Sequence, residues 1–450
     1  MGYHYDLILR NGSLVLPDQV KVLDVAVSDG KIVEVAEEIS GNSKETLDMQ
    51  GKTIFPGTFD GHVHFNDPGR TEWETIRTGS AALAAGGATS FIDMPLNCHP
   101  CTLDAEQFRR KLAVAEKDSL VDFGFWGGLT PANVDRLEEL AACGVVGFKA
   151  FACYSGIPEF QGIDDYTALK GMEQLKKLNL PLMVHCENAL LTKKLAEDEM
   201  AAGREDAWAY FAAHAPITET ESVARMIAFA EITGCKLIIA HVSLARSVEL
   251  IVAAKLRGVD VYCEAIGQYL MLTDEMVAEL GPIAKCSPPV RDAANQQKLW
   301  ECVVRNELDF ISSDHSPCDP KLKAGSFMQA WGGISSCQTT LTGLLTHACQ
   351  QRKMPLSKIA RLTSQNIAEI TGIPGKGKLA IGYDADFAVV DMDCRYTLNA
   401  EDLFYKHKVS PYVGMAFQGA VVQTILRGKT IFKDGKIVAA PMGKLLKPIV

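Results

Sequence analysis

Eight short apolar runs, most of them separated by amphipathic helical patterns, limit the folds open to this chain more than any other feature. They are TFDGHVHF, ATSFIDMPL, VDFGFWGGL, VGFKAFA, PLMVHCEN, KLIIAHVS, VDVYCEAI and DFISSDHSP, all within residues 56–370. Between them lie segments such as DAEQFRRKLAVAEKD, ANVDRLEELAAC, ESVARMIAFAEITG and ARSVELIVAAKLRG, whose apolar residues recur at helical spacing. Short buried strands alternating with helices imply parallel βαβ units, and eight such units close into a barrel. Gly144, Gly234 and Gly258 stand just before the fourth, sixth and seventh runs, where a helix needs a stop. The longest rim loops follow run one (NDPGR), run four (CYSGIPEFQG) and run eight (SPCDPKLKAGSFMQAWGG). Their Gly and Pro content suits covers over an active site.

The two ends follow another rhythm. Residues 1–55 alternate apolar and polar in short segments, with Asn11-Gly12 and Asp29-Gly30 as hairpin-turn signals. The cadence returns in residues 371–450, where ILRGKTIFKDGK echoes ILRNGSLVLPDQ. The expected architecture is α/β: a (β/α)8 TIM-like barrel over 56–370 beside a small β-sandwich built from both termini. A hydrophobic content of 47% supports a large core. The net charge of -10, with no basic run, argues against nucleic acid or an anionic membrane as partner. No signal-peptide pattern follows Met1, and no apolar stretch reaches the ~20 residues of a membrane span. The 13 cysteines then read as reduced residues of a cytoplasmic protein. The Cys98/Cys101 pair lacks a second CxxC and reads as an ordinary loop.

Polar residues sit near the C-terminal ends of these runs: His62 and His64, Lys149, His185, His241 and Asp314. Residues two apart in a strand share a side, so His62 and His64 converge. Any one of these histidines alone is more often a hydrogen-bonded core residue than a ligand. Together at one rim they make a site for divalent metal, imidazoles with a hard carboxylate oxygen. Lys149, between Phe148 and Phe151 in a core run, bears a desolvation cost unless its head reaches water. His99, His214, His347 and His407 lack such placement and read as loop, helix-surface or interface residues. His4 reads as surface.

This set of motifs resembles the amidohydrolase superfamily, in the cyclic-amide branch that holds dihydroorotases, hydantoinases or dihydropyrimidinases, and allantoinases. The likeness covers almost the whole chain. It implies two divalent ions per subunit, zinc first and manganese, cobalt or iron as alternatives. His62, His64, His185, His241 and Asp314 would be ligands, and Lys149 a CO2-derived carbamate (N6-carboxylysine) bridging the metals. It implies ring-opening of a small cyclic amide by a hydroxide shared between the ions, Asp314 acting as general base and acid, in a homotetramer. Ser287, Tyr154, Asn97, Gly332 and Gly333 are the expected substrate contacts. Within the branch, dihydroorotases read HxHxR, whereas Asn66 stands here, leaving only Arg70 or Arg291 to meet a carboxylate. VHCENALL, AKCSPPVRD, AWGGI and YKHKVSPYVG look most like the members that open allantoin to allantoate. Tyr154 stands where hydantoinases and dihydropyrimidinases carry a tyrosine that touches the substrate, and Gln268 where many relatives have histidine; both departures bear on ring recognition. A non-catalytic scaffold descended from such enzymes is a remoter reading, because every expected ligand position is filled.

Overall fold

The structure is a computed structural model and describes residues 4–449; residues 1–3 and 450, the outer ends of the two terminal segments, lie outside it. Each of the eight runs forms a barrel strand: Thr58–Val63, Ala88–Asp93, Asp122–Phe125 continuing in Gly127–Gly128, Phe148–Phe151, Leu182–His185, Leu237–Ile239, Val261–Ile266 and Phe310–Ser312. Neighbours pair in parallel in chain order. Closure comes from a parallel bridge between Val63 and His315, where His64 N donates to the His315 carbonyl at 2.7 Å. The strand residues are almost all buried, as expected where helices cover the outside and side chains fill the inside.

Helices stop where the glycines stand. Leu137–Cys143 ends at Gly144 (φ 96°) and Pro216–Thr233 at Gly234 (φ 68°), both left-handed. Asp104, Asp164 and Asn188 cap the starts of Ala105–Asp118, Asp165–Leu178 and Ala189–Ala201 with side-chain oxygens, which satisfies amide groups that have no partner within the helix.

Both ends of the chain contribute to one β domain, joined as a single nine-stranded hydrogen-bonded network. Its seam is Thr53–Pro56, parallel to Tyr5–Val15 on one side and antiparallel to Phe387–Thr397 on the other. Asp29-Gly30 turns a hairpin as expected, with φ of 52° and 75°. Asn11-Gly12 does not. Tyr5–Val15 runs straight through it with a register shift, Asn11 at φ 59° and its N–H on Asp24. Asn-Gly supplies left-handed backbone to a bulge as readily as to a turn. Here Gly12 lies against Ile54, so close that an added Cβ would sit 2.3 Å from its Cδ1.

The β domain is fastened to the barrel floor by a buried cation. The Lys376 ammonium lies 2.6 Å from Asp122, 2.7 Å from Asp386 and 2.9 Å from Asp384, with Arg427 also on Asp122. Residues 442–446 run alongside the third barrel strand, Phe123 N donating to Lys444 O and Leu446 N to Phe123 O.

Candidate active site

The C-terminal ends of the strands converge on a cavity of about 430 Å³. On one side, His62 Nε2 and His64 Nε2 lie 3.2 and 3.5 Å from Asp314 Oδ1. On the other, His185 Nδ1 and His241 Nε2 face each other at 3.1 Å. Lys149 lies beneath, fully buried, its Nζ without a hydrogen-bond partner among the described residues and 5.1 Å from the Phe151 ring centroid. His241 (φ 35°) and Asp314 (φ 44°) adopt left-handed backbone two residues past the ends of their strands. Non-glycine residues bear that conformation at a cost of order 1–3 kcal/mol, typically where a functional geometry requires it.

Electrostatics follow from the burial. Desolvation holds the His62 and His241 imidazoles well below their usual range, so both rings are neutral. Desolvation also presses the Lys149 amine down to about 8 and lifts the Glu264 carboxyl to about 8. Burial alone would raise Asp314, but the imidazoles of His62 and His64 beside it hold it below the usual carboxylate range. Neutral imidazoles, a carboxylate and an unpaired amine around one space are a donor set that fits divalent cations.

Two carboxylates orient these ligands, and neither was singled out in the sequence. Glu264 Oε2 meets His62 Nδ1 at 2.9 Å and accepts from His241 N at 2.8 Å. Glu187 Oε2 meets His185 Nε2 at 2.7 Å and Ser287 Oγ at 2.8 Å, while Oε1 meets His214 Nδ1 at 2.6 Å. A carboxylate that takes the outer ring N–H leaves the inner lone pair for a metal. Both left a signal. Glu187 repeats the two-residue spacing of HxH after His185, and Glu264 is the one charge within the strand Val261–Ile266, as Lys149 is within Phe148–Phe151.

Of the expected substrate contacts, Ser287, Tyr154, Asn97, Gly332 and Gly333 all line the cavity. Tyr154 stands at its mouth, 68% exposed. Asn97 also has its amide 3.3 Å from His64 Nδ1; with the amide oxygen turned inward it would accept that N–H and free Nε2. His214 departs from expectation. It ends the helix Ala207–Ala213 and forms part of the cavity wall, because the carboxylate that holds it sits across the loop on Glu187. Among the described residues, no arginine lines the cavity. Arg70 bonds the Asn97 carbonyl and Glu159, and Arg291 bonds Ser243 and the His214 carbonyl. Asn66 is buried on the Pro317 carbonyl. Gln268 donates to Ser313 O, beneath Asp314.

A closed parallel barrel with these donors at one rim is the frame of a metal-dependent hydrolase. Residues 53–431 match the amidohydrolase family, and the chain belongs to it. It is 67% identical to an allantoinase from Desulfitobacterium hafniense over 99% of each chain. It is 46% identical to an allantoinase from Rubrobacter xylanophilus over 99% of this chain and 98% of that one. Among solved structures, the L-hydantoinase (dihydropyrimidinase) of Arthrobacter aurescens superposes with a TM-score of 0.96 at 30% identity, covering 98% of this chain and 100% of that one.

Proposed function

We propose that this protein opens the ring of allantoin with water to give allantoate. The observation that carries the reading is the full-length identity to allantoinases joined to a complete donor set around one cavity. The lining supports a neutral ring: among the described residues it holds no guanidinium, and its one ammonium, Lys285, is engaged by the Met328 and Ala330 carbonyls at 2.9 and 2.7 Å.

His62, His64 and Asp314 would hold one divalent ion, His185 and His241 a second, with zinc the metal we favour. Lys149, buried and unpartnered, is the residue to carry a CO2-derived carbamate between them. When bound, such ions polarise a ring carbonyl and acidify water. Asp314 then accepts a proton from the attacking water and passes it to the departing ring nitrogen, which is too poor a leaving group to depart as an anion. Glu187 and Glu264 fix the imidazole tautomers throughout. Ser287, Asn97 and the backbone of Gly332 and Gly333 position the ring, with Tyr154 above it.

The 13 free cysteines support a cytoplasmic setting. A homotetramer is supported by the helix Ala189–Ala201, none of whose residues is buried in the single chain, and by exposed Leu190, Trp208 and Ile217 close by in sequence. We also propose 1–55 and 371–450 as the two parts of the β domain, with 56–370 as the barrel.

Tyr154 at the mouth and the hydantoinase neighbour favour one second reading, hydantoin or dihydropyrimidine hydrolysis. Side-by-side turnover of allantoin, hydantoin, dihydrouracil and dihydroorotate by metal-loaded enzyme decides between them. Allantoin should give the highest kcat/KM; a higher value for any other ring would reverse the assignment.

A further inference from the structure

His214 is held more firmly than a wall residue needs to be. Its Nδ1 meets Glu187 at 2.6 Å, its ring packs on Tyr210 with centroids 4.3 Å apart, and its carbonyl accepts from Arg291 at 2.6 Å. The side chain keeps 14% of its surface open, and the residue lines the cavity. Nε2 has no hydrogen-bond partner among the described residues and is not one of the buried unpartnered atoms. It is therefore the polar atom that this imidazole presents to a ligand. Two neighbouring donors are committed elsewhere: Tyr210 OH to the Cys286 carbonyl and the Lys285 ammonium to two carbonyls.

The position matters as much as the free atom. His214 lies beyond Glu187 from the His185/His241 pair, so it faces a part of the substrate away from the reacting amide. Allantoin differs from hydantoin in one respect, a ureido arm on the ring, which carries N–H donors and a carbonyl acceptor. Nε2 accepts an N–H when the ring is neutral and donates to the carbonyl when it is protonated. Either way it finds a partner on the arm and none on bare hydantoin.

We infer that His214 is a specificity-determining residue that binds the ureido substituent through Nε2, its ring pre-oriented by Glu187, Tyr210 and Arg291. The inference rests on the allantoin reading above and deepens it. A held donor or acceptor loses little freedom on binding, and one hydrogen bond of this kind is worth up to about tenfold in affinity.

The test compares the KM for allantoin with the inhibition constant of hydantoin as competitor, in metal-loaded wild type, H214N and H214Q, with metal content measured in each. Asn keeps a donor where Nδ1 meets Glu187 and deletes the atom at Nε2. H214N should raise the allantoin KM by about tenfold relative to the hydantoin constant, at two metals per subunit. H214Q, whose amide reaches the Nε2 position, should recover most of that ratio. A ratio that stays at its wild-type value in both variants, or both constants rising together, would overturn the inference and leave the function standing. If wild type does not open allantoin at all, the function itself fails and the inference falls with it.

Discussion

Lys149 and Asp314 depend on their surroundings in opposite ways, one for a missing partner and the other for partners that crowd it. A buried amine with nothing to bond has a reason to be there only if it becomes something else, and a carbamate turns it into an anionic ligand. Lys149→Ala should lose the bridged metal pair and nearly all turnover, and added short carboxylic acids should restore part of it. Metal analysis alongside activity checks this; two metals per subunit in the variant would end the carbamate proposal. Asp314→Asn keeps a ligand oxygen and removes the proton acceptor. Turnover should drop by about 10²–10⁴ with metal content retained, and a near-normal kcat would assign the proton to another group. The six proposed ligands were legible because each is a polar residue at the end of an apolar run. Glu187 and Glu264 were equally visible as residues, yet their service to His185 and His62 depends on strands meeting in space. His214 was not legible at all: the helix it ends has no relation in sequence to Glu187, 27 positions away.

At the level of elements, the barrel strands and helix stops were readable because period and punctuation are local. The Asn11-Gly12 bulge was misread because the dipeptide states only its backbone conformation, and what pairs beside it decides between bulge and turn. The cover loop 328–333 shows a device that no period reveals. Lys285 holds the carbonyls of Met328 and Ala330, and Lys323 holds those of Trp331 and Gly333 at 2.8 and 2.6 Å. Burial presses the Lys285 amine from 10.5 to about 8. The unfolded chain binds that proton more tightly, so this lysine costs stability fully below pH 8 and progressively less as pH rises toward 10.5. Lys285→Met removes both the cost and the clamp. Denaturant unfolding at pH 7.5 and 9.5 should show a smaller gain with pH in the variant than in wild type, while the KM rises as the cover loosens. Equal slopes would mean that the lysine is not desolvated.

Over the whole molecule, the pairing of the two ends was foreseeable from their shared cadence, but not the particular seam or the run of residues 442–446 beside the third barrel strand. Both depend on contacts between residues more than 300 positions apart. Lys376 occupies the centre of a triangle of Asp122, Asp384 and Asp386 that would otherwise suit a cation. Removing it with Lys376→Met leaves Asp386 buried without a counter-charge, while Asp122 keeps Arg427 and Asp384 keeps Lys31, at a cost of about 3–5 kcal/mol. A lowered melting temperature with metal content unaltered is the expected result. Unaltered melting would show that Asp386 sheds its charge at no cost.

The seam at Thr53–Pro56 also bears on synthesis. Phe55 pairs with Ala388, so the amino-terminal strands leave the ribosome with one flank unsatisfied and wait through the making of the entire barrel for their neighbour. Contacts so distant along the chain form late and leave strand margins open to other chains meanwhile. A nascent polypeptide of this design spends most of its translation with an adhesive edge, and shelter by a chaperone during that interval is what its topology asks of the cell.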